Sequence, residues 1–118
     1  MIFLLMLLLP LFANALDLTV TNHTGDVIRI TQLRNKCVDF IVTEDKPIFL
    51  KVNESYIFKK LIPVIHTYTL CGSGFCSSSA MGFQNGTEKY TLDVVLDGPY
   101  ITGNQKPDHW VGNKDCPK

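Results

Sequence analysis

Four cysteines, three histidines and three Asn-x-Ser/Thr triplets are the residues of this chain whose types could do chemistry. Cys37, Cys71, Cys76 and Cys116 form an even set downstream of an apolar leader, a combination that predicts two disulfides rather than a metal site. Structural zinc needs paired short spacings, and Cys71-x4-Cys76 has no second pair to match it. Four cysteines allow three connectivities. Pairing Cys37 with Cys71 and Cys76 with Cys116 is favoured, because the second bridge then ties the C-terminal tail to the domain and restrains the unfolded chain.

The triplets at Asn22, Asn53 and Asn85 are acceptors for N-glycosylation if the chain takes a eukaryotic secretory route. Each falls where a turn is expected, so a glycan would project into water. Asn, Ser, Thr and Gly are also simply turn formers, which alone can explain those positions. Nucleophilic catalysis needs an activated Ser or Cys with a base in reach, and Gly72-Ser73-Gly74 lacks the spacing of a nucleophile elbow. Asp93 and Asp97 lie on a strand and its turn, where a solvated face explains them better than paired-carboxylate chemistry. His23, His66 and His109 are scattered singly, and no phosphate-cradling glycine loop is present. The expectation is a non-catalytic protein without a cofactor.

One stretch resembles the copper-ligand loop of the plant-type blue copper proteins: Tyr68-Thr69-Leu70-Cys71-Gly72-Ser73-Gly74-Phe75-Cys76-Ser77, followed by Ala80-Met81. The resemblance implies a secreted, disulfide-bonded sandwich with Cys71 as thiolate and Met81 as axial ligand. Phe75 stands where that family has a histidine, and the loop is one residue shorter. A type of copper site that needs two imidazoles is therefore incomplete, and the likeness supports at most a degenerate blue-copper-like protein.

The elements that would position these residues are strands. The chain has 118 residues, and Ile2 to Phe12 is an apolar run followed by Ala13-Asn14-Ala15. That run is too short to span a bilayer, and the small-x-small motif marks residues 1–15 as a signal peptide cut before Leu16. No later stretch reaches spanning length, so the mature protein is expected to be secreted and extracellular. Eleven Lys and Arg balance eleven Asp and Glu. Neutrality of that kind argues against nucleic acid or an anionic membrane as partner.

After the leader there is a single alanine, Ala80, and β-branched residues abound, which favours strands over helices. Leu16 to Thr21 alternates with period two, Leu16, Leu18 and Val20 facing inward. Val27 to Leu33 alternates less cleanly and, across the turn Asn22 to Asp26, is expected to form a hairpin with the first strand. Cys37 to Thr43, Pro47 to Val52, Tyr56 to Leu61 and His66 to Leu70 read as further strands. The Gly- and Ser-rich stretch from Gly72 to Ser79 reads as a loop. Met81 to Phe83 and Tyr90 to Leu96 flank Asn85-Gly86, a hairpin signal. Asp97-Gly98-Pro99 is a turn before a short edge strand, Tyr100 to Thr102.

The expected fold is all-β: a small disulfide-stapled β-sandwich, Ig-like or cupredoxin-like in shape, over 16–102, with a polar tail over 103–118. The tryptophan that an immunoglobulin domain packs between its bridged cysteines is missing, for the only one, Trp110, lies in the tail. With His109, Trp110 is the best local candidate for contact with an extracellular protein partner, a large amphipathic surface in a polar stretch, unless Trp110 instead plugs one end of the sandwich, the commoner role of a lone tryptophan. The alternative to a binding module is a carrier of a small apolar ligand. Phe40, Phe49, Tyr56, Phe58, Phe83 and Tyr90 would line its cavity, unless they fill an ordinary close-packed core.

Overall fold

A computed structural model describes residues 15–83, 87, 89–107 and 116. Nine strands and no helix make up these residues: β1 (Leu16–Asn22), β2 (Ile28–Asn35), β3 (Phe40–Val42), β4 (Ile48–Leu50), β5 (Ser55–Leu61), β6 (His66–Cys71), β7 (Cys76–Met81), β8 (Lys89–Asp97) and β9 (Tyr100–Lys106). They form two sheets, one in the order β5-β1-β8-β9, the other β3-β2-β6-β7 with β4 also paired to β2. One core holds the sheets together, with Leu18, Val20 and Leu92 from the first meeting Ile30, Leu33 and Leu70 from the second. Burying such side chains stabilises the domain by roughly 1.5–3 kcal/mol each.

The period-two reading of β1 holds: Leu16, Leu18, Val20 and Asn22 are buried and the residues between them are not. The partner assigned to it does not. β1 pairs with β5 antiparallel and with β8 in parallel, while β2 belongs to the opposite sheet. The turn between them is a crossing between sheets rather than a hairpin. Its residues are those a hairpin turn would use, and only the longer ladders open to β1 elsewhere distinguish the two. The Asn85-Gly86 hairpin is corrected for the same reason, since β7 and β8 lie in different sheets.

Residues Ser77, Ser78 and Ser79 are strand, not loop. β7 pairs with β6 in unbroken register from Cys71↔Cys76 to His66↔Met81. Ladder hydrogen bonds belong to the backbone, so an edge strand exposed along most of its length can be built from serine. β9 also runs four residues further than expected, taking 103–106 out of the tail. Its turn is as read: Gly98 has φ 62°, the positive value required at the first position of a type II′ turn, with Pro99 following.

The favoured cysteine pairing is overturned. Cys71 is bonded to its register partner Cys76, and Cys37 to Cys116. Cross-strand neighbours at the foot of a four-residue turn are already within bridging distance, with Cα atoms 4.0 Å apart, so the local bridge forms and the long-range one takes what is left. Among the described residues no helix is long and apolar enough to cross a membrane.

Candidate functional site: the arginine face of the second sheet

Strict alternation would put Arg29 and Arg34, five positions apart, on opposite faces of β2. The pairing with β6 shifts register between Ile30 and Gln32. That bulge inserts one residue, so Ile28, Ile30 and Leu33 all point into the core while Arg29 and Arg34 share the outer face. These are the only two arginines in the chain.

Each faces a phenylalanine on the adjacent edge. Arg29 pairs with Phe49 of β4 and Arg34 with Phe40 of β3, and the two rings are 59% and 52% exposed. The Arg34 guanidinium carbon lies 6.0 Å from the Phe40 ring centroid, at the limit of a cation–π contact. Its Nε donates to Thr67 Oγ1 at 3.3 Å. None of the five strands of this sheet contains Asp, Glu or Lys. Among the described residues neither arginine has a carboxylate partner; Asp93 of the other sheet is the carboxylate contacted there, by His23 Nε2 at 3.2 Å and Lys106 Nζ at 3.9 Å. Among the described residues the second sheet thus presents two guanidinium groups without a carboxylate partner and two exposed rings on one outward surface, a composition enriched at protein contacts.

The residues singled out by sequence are elsewhere. Asn22, expected as a glycan acceptor, is a buried and fully hydrogen-bonded residue. It is 0% exposed, and its Nδ2 donates to the carbonyls of Asp26 (2.8 Å) and Leu50 (3.0 Å). Its Oδ1 accepts from the backbone N–H and the hydroxyl of Thr24. A glycan replaces one hydrogen on that nitrogen, so it would cost one of the two donated bonds, and it would have to enter a site that is 0% exposed. Asn53 is exposed, in the turn between β4 and β5 with φ 65°, a conformation Asn tolerates better than most residues. Asn85, His109 and Trp110 lie outside the described residues. Cys71, held in a disulfide, is no thiolate for copper, and among the described residues no group of three His, Cys, Asp or Glu gathers as metal ligands.

His66 is buried, its Nδ1–H donating to the Val64 carbonyl at 2.8 Å and its Nε2, among the described residues, without a partner beside the edge-on Phe83 ring. Burial lowers its pKa below the ordinary value of 6.5, against opposing contributions from that hydrogen bond and from Asp39. Tyr68 is shifted the other way, its phenol pKa raised by burial despite a hydrogen bond to Ser79. Of the six aromatics considered for a cavity, Phe58, Phe83 and Tyr90 are buried while Phe40, Phe49 and Tyr56 reach water. The void between the sheets, lined by Leu18, Ile30, Phe58 and Leu92 among others, is about 10 Å³, the room of roughly one water.

Two other surface features stand near β9. A cleft of about 300 Å³ between β7 and β9 is lined by Ser77, Ser79, Tyr100 and Thr102. Ser77 Oγ donates to the Ile101 carbonyl and Gln105 Nε2 to that of Gly82, tying the two edges together. Val27 and Leu96, both exposed, flank a smaller depression of about 140 Å³ at the end of the sandwich. Neither combines aromatic rings with unpaired positive charge. No protein-family model, no curated protein and no solved structure matches the chain.

Proposed function

We propose that this chain is an exported, non-catalytic binding module, Ig-like in shape, that contacts another extracellular protein through the outer face of the second sheet. The observation that carries the reading is the bulge in β2, which brings both arginines to one surface where each stands beside an exposed phenylalanine and, among the described residues, neither meets a carboxylate. Arginine and aromatic side chains supply most hot-spot energy in protein interfaces, and bare phenylalanines on a sheet face gain from being covered. Two disulfides in so small a domain accord with an oxidising compartment, as does the apolar run that ends in Ala13-Asn14-Ala15 if it is a signal peptide.

Cross-linking and affinity capture from the producing organism's extracellular fluid tests the proposal, with wild type compared to the Phe40→Ser, Phe49→Ser double variant. Both rings are exposed, so the variant should fold and be exported normally, with Leu16 as its first residue. A protein partner held by wild type and lost with the double variant supports the reading. Equal retention by both places the contact elsewhere.

A further inference from the structure

We infer that the arginine face docks an extended acidic segment of the partner, one presenting two carboxylates on the same side of a strand, four residues apart. The inference rests on the binding-module reading and names the chemistry of its partner. Lacking Asp, Glu and Lys throughout its five strands, the second sheet carries charge of one sign only. Arg29 has no hydrogen-bond or ionic partner among the described residues, and Arg34 is engaged only through Nε and the face of Phe40. Among the described residues the terminal nitrogens of both carry no partner, and two parallel N–H···O bonds are how a guanidinium grips a carboxylate.

Geometry sets the spacing. Five positions along β2 with one absorbed by the bulge leave four strand steps, so the two arginine Cα atoms are separated by about 14 Å. On an extended partner segment, residues i and i+4 share a face and span the same distance. Between the carboxylates, residue i+2 would lie over the surface flanked by Phe40 and Phe49, where an apolar side chain covers the rings.

A sulfated glycan is the competing polyanion, and the composition of the face disfavours it. Glycan and phosphate surfaces gather clusters of Lys and Arg, whereas here two positive charges stand among Thr31, Gln32, Thr67 and two phenyl rings, in a chain of zero net charge.

Short fluorescent peptides provide the test, titrated into the purified, disulfide-intact full chain and read by anisotropy. The reference peptide is an alternating Thr/Val sequence with two glutamates four positions apart; one control replaces both by glutamine and another sets them two positions apart. The reference should bind tightest, and its glutamine counterpart about tenfold or more weaker. Arg29→Gln and Arg34→Gln should each weaken it by about tenfold, and raising salt from about 50 to about 300 mM should weaken it further. Lys59→Gln, on the other sheet, should change nothing.

Equal binding of glutamate and glutamine peptides, with loss in the Phe40→Ser, Phe49→Ser variant, would leave the face as a protein-docking surface and overturn the acidic partner. Binding of a heparin oligosaccharide that needs both arginines, with no peptide bound, overturns the protein segment in favour of a glycan. If no peptide binds at all, the acidic-segment inference is wrong, and if the face variant also retains its captured partner, the docking surface is wrong with it.

Discussion

Asn22 and His66 are both fully buried polar side chains, and they contribute in opposite ways. Asn22 satisfies all it has to offer: two donated bonds to the carbonyls of Asp26 and Leu50 and two accepted from Thr24. Removing a buried side chain that pairs several groups leaves each of them unsatisfied. Asn22→Ala should therefore lower unfolding stability by about 3 kcal/mol, while Asn53→Gln leaves it within about 0.5 kcal/mol, as for an ordinary surface change. Urea titration of the two variants measures both, and intact mass should show loss of glycan from Asn53→Gln alone. His66 instead has no partner for Nε2 among the described residues, and burial disfavours its protonation. Its folded pKa lies below that of the unfolded imidazole, near 6.5, so as pH falls the unfolded chain takes up the proton first. The contribution of neutral His66 is fully present above that value and declines as pH drops below it, until the folded form is protonated too. His66→Leu should flatten the loss of stability between about pH 7 and 5, measured by denaturant unfolding at each pH.

At the scale of elements, register decides more than composition. The single inserted residue in β2 assigns Arg34 to the outer face, and β7 exists as a strand because β6 offers it a complete ladder. β9 shows how closely two elements approach. A Cβ added at Gly103 would stand 2.8 Å from both Leu92 Cδ1 and Tyr68 Oη, side chains fixed by the core they fill. Gly103→Ala should cost about 1–3 kcal/mol through this overlap. Gly98→Ala, where space is open but φ is 62°, should cost about 1 kcal/mol from backbone strain alone. Unfolding midpoints separate the two, and relieving the overlap with Leu92→Ala should recover part of the loss at Gly103 and none at Gly98.

Across the whole molecule the two disulfides differ in reach. Cys37–Cys116 closes a separation of 79 residues and Cys71–Cys76 one of 5. In the chain-entropy account the first restrains the unfolded state by about 4–5 kcal/mol and the second by about 2 kcal/mol. The Cys37→Ser, Cys116→Ser variant should accordingly lose about twice as much stability as Cys71→Ser, Cys76→Ser, by urea unfolding under non-reducing conditions. Peptide mapping of the intact protein checks the connectivity on which the difference rests.

Strand identity was legible along most of the chain because it depends on neighbours in sequence. The alternation of Leu16, Leu18 and Val20, the run Tyr90-Thr91-Leu92-Asp93-Val94 and the turn at Gly98-Pro99 each declare themselves within a few residues, and so does the scarcity of helix formers. Pairing is not local. That β1 lies between β5 and β8, that Cys37 meets Cys116, and that the Asn22 side chain is tied to the Leu50 carbonyl all depend on residues far away in the chain. The candidate site shows this most clearly: two arginines five positions apart belong to opposite faces under the period of a strand. Tertiary structure alone decided otherwise, because satisfying the ladder to β6 and burying both Ile30 and Leu33 in one core required a bulge between them.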